Sequence, residues 1–438
     1  MIKKLVLVFI VLFTIKSFAQ NGTASPYSFY GIGSLKFKGT VENRSMGGLS
    51  IYTDSIHINL RNPASYAGKN LALYGNEGRP IKFSVAGSHT NLKLSSDSGE
   101  DKLSSSTFDY ISLAIPIGKL GVGVGLIPYT SVGYKLETLD DSNRLNERFN
   151  GDGGLNRTYL SLGYLINDNF SVGVDFSYNF GNIQNSTLVF DYNEDGGLVQ
   201  YQSRENNRSD LSGISLNIGL TYRAMITEDL ELKSGFTYTP TTNLRSINER
   251  SFNTIIINSF DNSEIVVNTI EADLRSQGLY ETKFLLPSKF SLGAGVGQPR
   301  IWFVGAEYTF QNTSKFVNEL HGSNGTEYSN GSTFALGGFF IPKYNSFSSY
   351  FSRMVYRAGI RFEDTGLNIN NTNINEFGIS FGVGLPIGSA RDFFSNANLG
   401  FEIGKRGTTR NNLIQENFVN FNLSLSLNDR WFQKRKYE

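Results

Sequence analysis

Cysteine is absent from the 438 residues, and several other residue types are scarce. The chain has only 10 prolines and 2 tryptophans, and 18% of its residues are charged. Without cysteine, no disulfide framework can stabilise a small secreted scaffold. No run of about 20 apolar residues follows residue 20, which argues against a membrane-spanning helix. The formal net charge of +1 gives no electrostatic case for binding nucleic acid.

Glycine and aromatic residues are abundant instead. The chain contains 46 glycines, 34 phenylalanines and 22 tyrosines, yet its hydrophobic fraction is only 39%. Strands that place a polar residue at every second position dilute their apolar residues in this way. The composition is therefore typical of many alternating strands, and it argues more weakly against an α/β enzyme.

The N-terminus has the three parts of a secretory signal peptide. Lys3 and Lys4 precede an apolar stretch, residues 5–15, and residues 17–19 form a small-x-small cleavage site. The sequence predicts a signal peptide over residues 1–19, cleaved after Ala19, with Gln20 as the mature N-terminus.

Period-two alternation is the strongest pattern in the chain. Every even position from Phe170 to Phe180 is apolar and every odd position is polar or glycine, and similar runs cover 377–385 and 419–427. About fourteen such runs follow residue 81. They predict an all-β fold, a transmembrane antiparallel β-barrel of about 14 strands over residues 81–432, with a polar tail at 433–438.

The connections between these runs support a membrane location. Short turns alternate with long polar segments at 139–154, 184–208, 246–285 and 316–330. Outer-membrane barrels have short periplasmic turns and long outer loops. We therefore expect a barrel embedded in the lipid of a Gram-negative outer membrane. The alternative is a secreted or periplasmic all-β protein.

Residues 20–80 do not alternate. Irregular backbone can lie at membrane depth only where protein or water covers it. The segment is therefore predicted to plug the lumen near the periplasmic end of the barrel. The alternative is a periplasmic tail.

A motif in this segment resembles a known family. Gly47 and Gly48 precede an Asp-containing turn, and Asn62-Pro63-Ala64 follows it just before the first barrel strand. This arrangement is similar to the N-terminal hatch of the FadL/TodX family of outer-membrane transporters for hydrophobic compounds. Residues 25–33 also look like the branch of that family found in Bacteroidetes. The resemblance implies a 14-stranded barrel with a hatch over residues 20–80.

Pro128 interrupts the third predicted strand. Proline cannot donate to a strand ladder, so a local opening in the wall is expected here. The family resemblance implies that such an opening is a lateral gate for a hydrophobic ligand. Alternatively, Pro128 lies above the membrane band, where pairing ends in any case.

No catalytic or cofactor motif is evident. The three histidines, His57, His89 and His321, share no metal-ligand spacing, and no serine–histidine arrangement is identifiable. The sequence predicts no enzyme, no cofactor and no metal site. Apolar runs at 254–257 and 264–270 predict an extracellular hairpin that could receive a greasy ligand or another protein.

Two functions remain open. The first is passive uptake of small hydrophobic compounds, with hatch-linked release through the wall; no ligand-binding residues are assigned. The second is a non-transporting FadL-like barrel that is a structural or accessory subunit of an outer-membrane protein assembly (BAM-type) or protein-secretion complex. An apolar tunnel would favour transport, whereas a filled lumen and a large docking surface would favour the complex.

Overall fold

The computed structural model describes residues 23–54, 56–69, 79–258, 260–261, 263–315, 326–387 and 395–429. The predicted signal peptide, His321 and the predicted tail at 433–438 lie outside the described residues. Within the described part of the chain, no helix has the length and apolar character needed to cross a membrane.

The predicted all-β architecture is confirmed as a closed antiparallel barrel of 14 strands. The barrel closes where the first strand pairs with the last, with Ile81 opposite Asp429. Three strands are each broken into two pieces. The strands are β1 (Ile81–Ser96), β2 (Gly99–Ile117), β3 (Leu120–Pro128 and Thr130–Leu139), β4 (Leu145–Leu165), β5 (Phe170–Val189), β6 (Gln202–Met225), β7 (Glu231–Thr239 and Thr242–Ile257), β8 (Glu281–Leu286 and Lys289–Gln298), β9 (Trp302–Gln311), β10 (Gly331–Phe340), β11 (Val355–Ile369), β12 (Thr372–Ile387), β13 (Ser395–Arg406) and β14 (Gln415–Asp429).

Shorter elements lie in the N-terminal part and the connections. The other strands are Ser34–Leu35, Glu264–Glu271 and Thr326–Tyr328. The described helical elements are the α-helix Val41–Arg44 and the 3-10 helices Pro26–Phe29, Pro63–Tyr66, Thr313–Lys315, Phe351–Arg353 and Arg410–Asn412.

The wall has an apolar outside and a polar inside. On β5, Phe176 and Tyr178 are each 48% exposed, whereas Asp175 and Asn179 are 2% and 0% exposed. Apolar side chains on the outer face and polar ones on the inner face are the arrangement of a barrel surrounded by lipid. The predicted outward orientation of the apolar residues between Phe170 and Phe180 is therefore confirmed.

Several strands continue far beyond this apolar band. The polar segments 139–154, 184–208 and 246–285 were expected to be loops, but β4, β5, β6 and β7 extend well into them. Above the membrane both faces of a strand meet water or other protein, so the alternating pattern disappears while the backbone ladder continues. The predicted hairpin forms, with Ile257 opposite Glu264.

The N-terminal segment (residues 23–54 and 56–69) contacts the inner wall at several heights. Near the extracellular end, the hydroxyl group of Ser25 donates a hydrogen bond to Glu416 and that of Tyr27 to the carbonyl of Ile414. Near the periplasmic turn between β2 and β3, Arg79 donates to the carbonyls of Tyr66 and Gly118. The predicted position near the periplasmic end therefore applies only to the later part of the segment. The first described residues of the segment lie at the extracellular end of the barrel.

Candidate functional site

The Asn-Pro-Ala triplet lies against the inner face of β5 and β6. Asn62 caps the 3-10 helix Pro63–Tyr66, since its Oδ1 accepts a 3.0 Å hydrogen bond from the backbone N–H of Ala64. Its Nδ2 donates to the carbonyl of Leu220 at 2.9 Å. A Cβ atom on the wall residue Gly173 would lie 2.4 Å from the backbone nitrogen of Ala64. The glycine is therefore what allows the two backbones to touch.

The glycine pair follows the helix Val41–Arg44 and turns the chain against β10 to β12. Gly47 and Gly48 have φ angles of +70° and +94°, a region of backbone conformation that residues with a Cβ atom rarely adopt. The backbone N–H of Gly47 donates to Ser380 Oγ at 2.9 Å. On the wall, a Cβ atom added to Gly359 would lie 2.2 Å from the nitrogen of Gly47. Here too the segment and the wall approach at backbone distance.

A ladder of buried ion pairs joins the segment to β11–β14. Arg44 Nε lies 2.7 Å from Glu402 Oε2, and Arg361 Nη2 lies 3.0 Å from Glu402 Oε1. Arg361 and Arg406 both pair with Glu376. Glu402 keeps Arg361 when Arg44 leaves, so the contact with Arg44 contributes the roughly 1.5–3 kcal/mol of a hydrogen bond to a charged group. The ladder therefore favours a segment that stays in place.

A second anchor lies on β9. The backbone N–H of Ser50 donates to Glu307 Oε2 at 2.7 Å, and Arg61 Nη2 lies 2.8 Å from Glu307 Oε1. On β5, Asp175 pairs with Lys38 of the segment at 3.3 Å. The segment is thus held by charged contacts to several sides of the wall.

The Asp-containing turn of the motif is itself a compact hydrogen-bonded unit. Asp54 Oδ1 accepts from the backbone N–H groups of Ile56 and His57 at 2.9 and 2.6 Å, and its Oδ2 lies 2.7 Å from His57 Nδ1. Burial opposes the charge of Asp54. The interactions with His57 and Lys82 outweigh it and hold the pKa of Asp54 well below its usual range.

The wall is incomplete beside Pro128. The pairing of β2 with β3 ends at Ile111 opposite Leu126. The second piece of β3, which begins at Thr130, pairs with β4 on one edge and with no residue of β2 on the other. The short strand Ser34–Leu35 of the N-terminal segment pairs with the free edge of β3. The backbone N–H of Lys36 also donates to the carbonyl of Tyr129 at 2.9 Å. The segment therefore occupies part of the gap that β2 leaves.

Pro128 lies near the upper edge of the apolar band. It is opposite Asn156 of β4, which is opposite Phe180, the last of the outward apolar residues on β5. The position therefore combines a broken ladder with the boundary of the lipid-facing surface. Its role as a gate stays a prediction.

Two of the cavities in the described part of the chain open near the extracellular end, and charged or polar residues border both. One, of about 690 Å³, is bordered by Asn150, Arg208, Asn248 and Arg250. The other, of about 930 Å³, adjoins the gap between β2 and β3 and mixes Leu94, Leu103 and Leu136 with charged residues. The first is therefore unlike the mostly apolar pocket that is typical of a site for a hydrophobic ligand, and the second combines apolar and charged surface.

The extracellular hairpin presents an unpaired strand edge. Glu264–Glu271 pairs with β7 on one side, and the structure pairs its other edge with no strand among the described residues. Ile265 and Val267 are each 52% exposed, and Ile270 is exposed as well. An exposed apolar edge is a template for pairing with another chain.

The fold is that of FadL-type transmembrane barrels. The toluene transporter TbuX of Ralstonia pickettii is 14% identical, with a TM-score of 0.56, and the match covers 90% of this chain and 100% of that one. The toluene transporter TodX of Pseudomonas putida is 15% identical, with a TM-score of 0.54 and coverage of 91% and 99%. A Pseudomonas aeruginosa FadL homologue is 14% identical, with a TM-score of 0.52 and coverage of 91% and 99%.

Within that fold, the chain belongs to the BamG family, whose family model matches residues 1–438. No curated protein sequence matches the chain. The resemblance to FadL and TodX therefore describes the architecture correctly, but the matching family has a different name.

Sequence reasoning missed the acidic residues that anchor the segment. The sequence analysis did not identify Glu307, Glu376 and Glu402. Each lies on a strand at a position whose side chain faces the lumen, and each is at most 5% exposed. A carboxylate at an inward position of an otherwise uncharged alternating run is a signal that could have identified them. Their arginine partners, which lie on other strands or in the segment, could not be paired from sequence alone.

Proposed function

We propose that this chain is a non-transporting barrel that acts as a structural or accessory subunit of an outer-membrane protein assembly complex of the BAM type. The observation that carries the proposal is the N-terminal segment inside the lumen, which ion pairs and close backbone contacts hold against the wall. Membership of the BamG family supports the same proposed role in an assembly complex. No catalytic role is part of the proposal.

Energetics argue against routine displacement of the segment. A passive channel has only the binding energy of its ligand to open a path. Moving the segment would separate Arg44 from Glu402 and Arg61 from Glu307, and a hydrogen bond to a charged group typically contributes about 1.5–3 kcal/mol. A fixed segment is better suited to making the barrel a rigid platform.

The extracellular hairpin supplies a surface on which a partner could assemble. Main-chain groups along the free edge of Glu264–Glu271 can accept an added strand, and Ile265, Val267 and Ile270 add apolar contact. This surface lies beyond the lipid-facing band, so membrane lipid does not cover it.

Two measurements test this function. The protein is purified from native outer membranes in mild detergent, and other outer-membrane barrels are quantified after its depletion. We expect stoichiometric co-purification with assembly components and a broad fall in the amounts of other barrels. Isolation as a lone barrel, with unchanged amounts of the others after depletion, would contradict the proposal.

A matched pair of variants tests the surface. The double variant Ile265→Lys/Val267→Lys places charge on the free edge, and we expect it to fold but to lose the partners. Leu139→Lys changes another exposed apolar residue, at the extracellular end of β3, and should retain them. Equal partner loss in both variants would argue against the edge as the docking surface.

Passive uptake of a small hydrophobic compound is the second candidate function. It is favoured by the fold shared with toluene transporters and by the broken ladder at Pro128. In this candidate, lateral release requires the strand Ser34–Leu35 to leave the gap.

A disulfide across the gap tests lateral release. Ser34 and Ser131 are opposite each other in an antiparallel ladder, so their Cα atoms are close enough for a disulfide. The chain has no native cysteine to interfere. In the Ser34→Cys/Ser131→Cys variant, oxidation should block uptake of toluene into reconstituted vesicles and reduction should restore it. Uptake that is unchanged after complete crosslinking rejects the lateral route, and no uptake in either state favours the assembly subunit.

A further inference from the structure

The periplasmic connection between β10 and β11, residues 341–354, exposes large aromatic side chains. Phe347 is 96% exposed and Phe351 is 71% exposed, and Tyr344 and Tyr350 are also exposed. The connection is ordered by its own hydrogen bonds. The backbone N–H of Lys343 donates to the carbonyl of Ser352 at 2.7 Å. Exposed aromatic residues in an ordered loop mark a surface that contacts something other than water.

The loop continues the lipid-facing surface of the wall. Tyr356 lies opposite Phe340, which lies opposite Trp302, so these three aromatic residues form a row across β11, β10 and β9. The hydroxyl of Tyr356 donates to the carbonyl of Phe351 at 3.1 Å. Phe351 is therefore attached to the outer face of the wall at its periplasmic edge, where interfacial aromatic residues are expected.

Basic groups accompany the aromatic residues. Residues 341–354 include Lys343 and Arg353 and no acidic residue. The guanidinium of Arg300, in the turn between β8 and β9, lies 5.5 Å from the ring of Tyr344. The guanidinium of Arg353 lies 5.4 Å from the ring of Tyr350, which is exposed. Such groups are complementary to lipid phosphates.

We propose that residues 341–354 are seated in the periplasmic leaflet of the outer membrane. The rings of Phe347 and Phe351 lie at the boundary of headgroups and acyl chains, and Lys343, Arg353 and Arg300 contact the phosphates of acidic phospholipids. The mixture of exposed aromatic and basic residues is that of a segment that lies in a membrane interface. This inference does not depend on the proposed function of the barrel.

Tryptophan fluorescence in lipid vesicles tests the proposal. Phe347→Trp and Phe351→Trp are introduced separately into full-length protein that also carries Trp302→Phe and Trp431→Phe. The protein is reconstituted into vesicles of phosphatidylethanolamine and phosphatidylglycerol with brominated acyl chains. We expect both emissions to shift to the blue and to be strongly quenched by bromine. Phe260→Trp is the control. Phe260 is 97% exposed at the tip of the extracellular hairpin, where bromine should not quench it.

Other outcomes have defined meanings. Emission from both loop positions that bromine leaves unchanged, but that iodide on both sides of the membrane quenches, overturns the proposal and leaves the loop free for a protein partner. The variant Lys343→Glu/Arg353→Glu should reduce bromine quenching in vesicles containing phosphatidylglycerol. Unaltered quenching in that variant would overturn the phosphate contacts. Heat-modifiable migration in gels verifies that each variant is folded.

Discussion

Replacing Arg44 with methionine should loosen the N-terminal segment without unfolding the barrel. Methionine keeps most of the length of the side chain but removes the charged hydrogen bond to Glu402, which measures 2.7 Å in the native protein. Glu402 retains Arg361 and Asn420 as partners at 3.0 and 3.1 Å. The wall is therefore left with a satisfied carboxylate, and the loss is confined to the contact between segment and wall.

The expected size follows from the chemistry of that contact. A hydrogen bond to a charged group contributes about 1.5–3 kcal/mol, and every 1.4 kcal/mol changes an equilibrium constant about tenfold. The opening of the segment around Arg44 should therefore become roughly 10- to 100-fold more frequent. Hydrogen exchange of the backbone amides at residues 41–51, measured by mass spectrometry on the folded barrel in detergent, reports that opening directly.

A solvent-exposed ion pair provides the matched control. Lys69 also joins the N-terminal segment to the wall, through Asp168 in a periplasmic turn, but both side chains are largely exposed. Surface pairs of this kind contribute little. Lys69→Met should leave the exchange of residues 41–51 unchanged. If Arg44→Met also leaves that exchange unchanged in a folded barrel, the ion pair with Glu402 does not hold the segment in place.

Three further outcomes are expected. Phe176→Arg, which places a charge on the lipid face, should destabilise the folded barrel by about 2–4 kcal/mol in denaturant titrations from lipid vesicles, and a smaller loss would place Phe176 outside the bilayer centre. Gly173→Ala should lower the free energy of unfolding by about 1–3 kcal/mol, because the added methyl group overpacks against Ala64. Gly235→Ala should be tolerated, because its added Cβ would have its nearest neighbours at 3.4 Å. Equal effects of the two substitutions would contradict the close approach of Gly173 to Ala64. The pKa of Asp54 is lowered in the folded state, so the contribution of its charge to the free energy of unfolding is present above the ordinary pKa of 3.8 and is lost as pH falls below it. The loss of stability in Asp54→Asn should therefore be largest near pH 7 and become smaller in acid. A loss of stability that does not change with pH would show that the charge is not what stabilises the turn.

The barrel could be predicted because lipid imposes a pattern on sequence. Between Phe170 and Phe180, one face meets lipid and the other a polar lumen, so the apolar residues recur at every second position. Beyond Phe180 the strand leaves the membrane, and β5 continues to Val189 through polar residues on both faces. The extracellular parts of β6 and β7 also lack the alternation of apolar and polar residues. The sequence therefore predicts loops where these strands continue.

The interior of the site was less predictable, because it depends on barrel closure. Arg44 and Glu402 are 358 positions apart in the chain, and only the full circuit of strands brings them together. Individual members left local signals, such as an inward carboxylate or a glycine facing the lumen. The partner of each was set by the three-dimensional register of the strands, which no local pattern encodes.

The position of the first residues has a consequence for biogenesis. Ser25 and Tyr27 contact the extracellular end of β14, while Tyr66 lies at the periplasmic end, so the N-terminal segment lies along much of the height of the lumen. Threading this irregular chain upward through a finished cylinder would require all its anchoring contacts to form in a confined space. Folding the strands around a segment already laid across the sheet avoids that difficulty. In that order of events β1 pairs with β14 last. Glu416, which lies in this last pair of strands, is also the residue that accepts the hydrogen bond from Ser25.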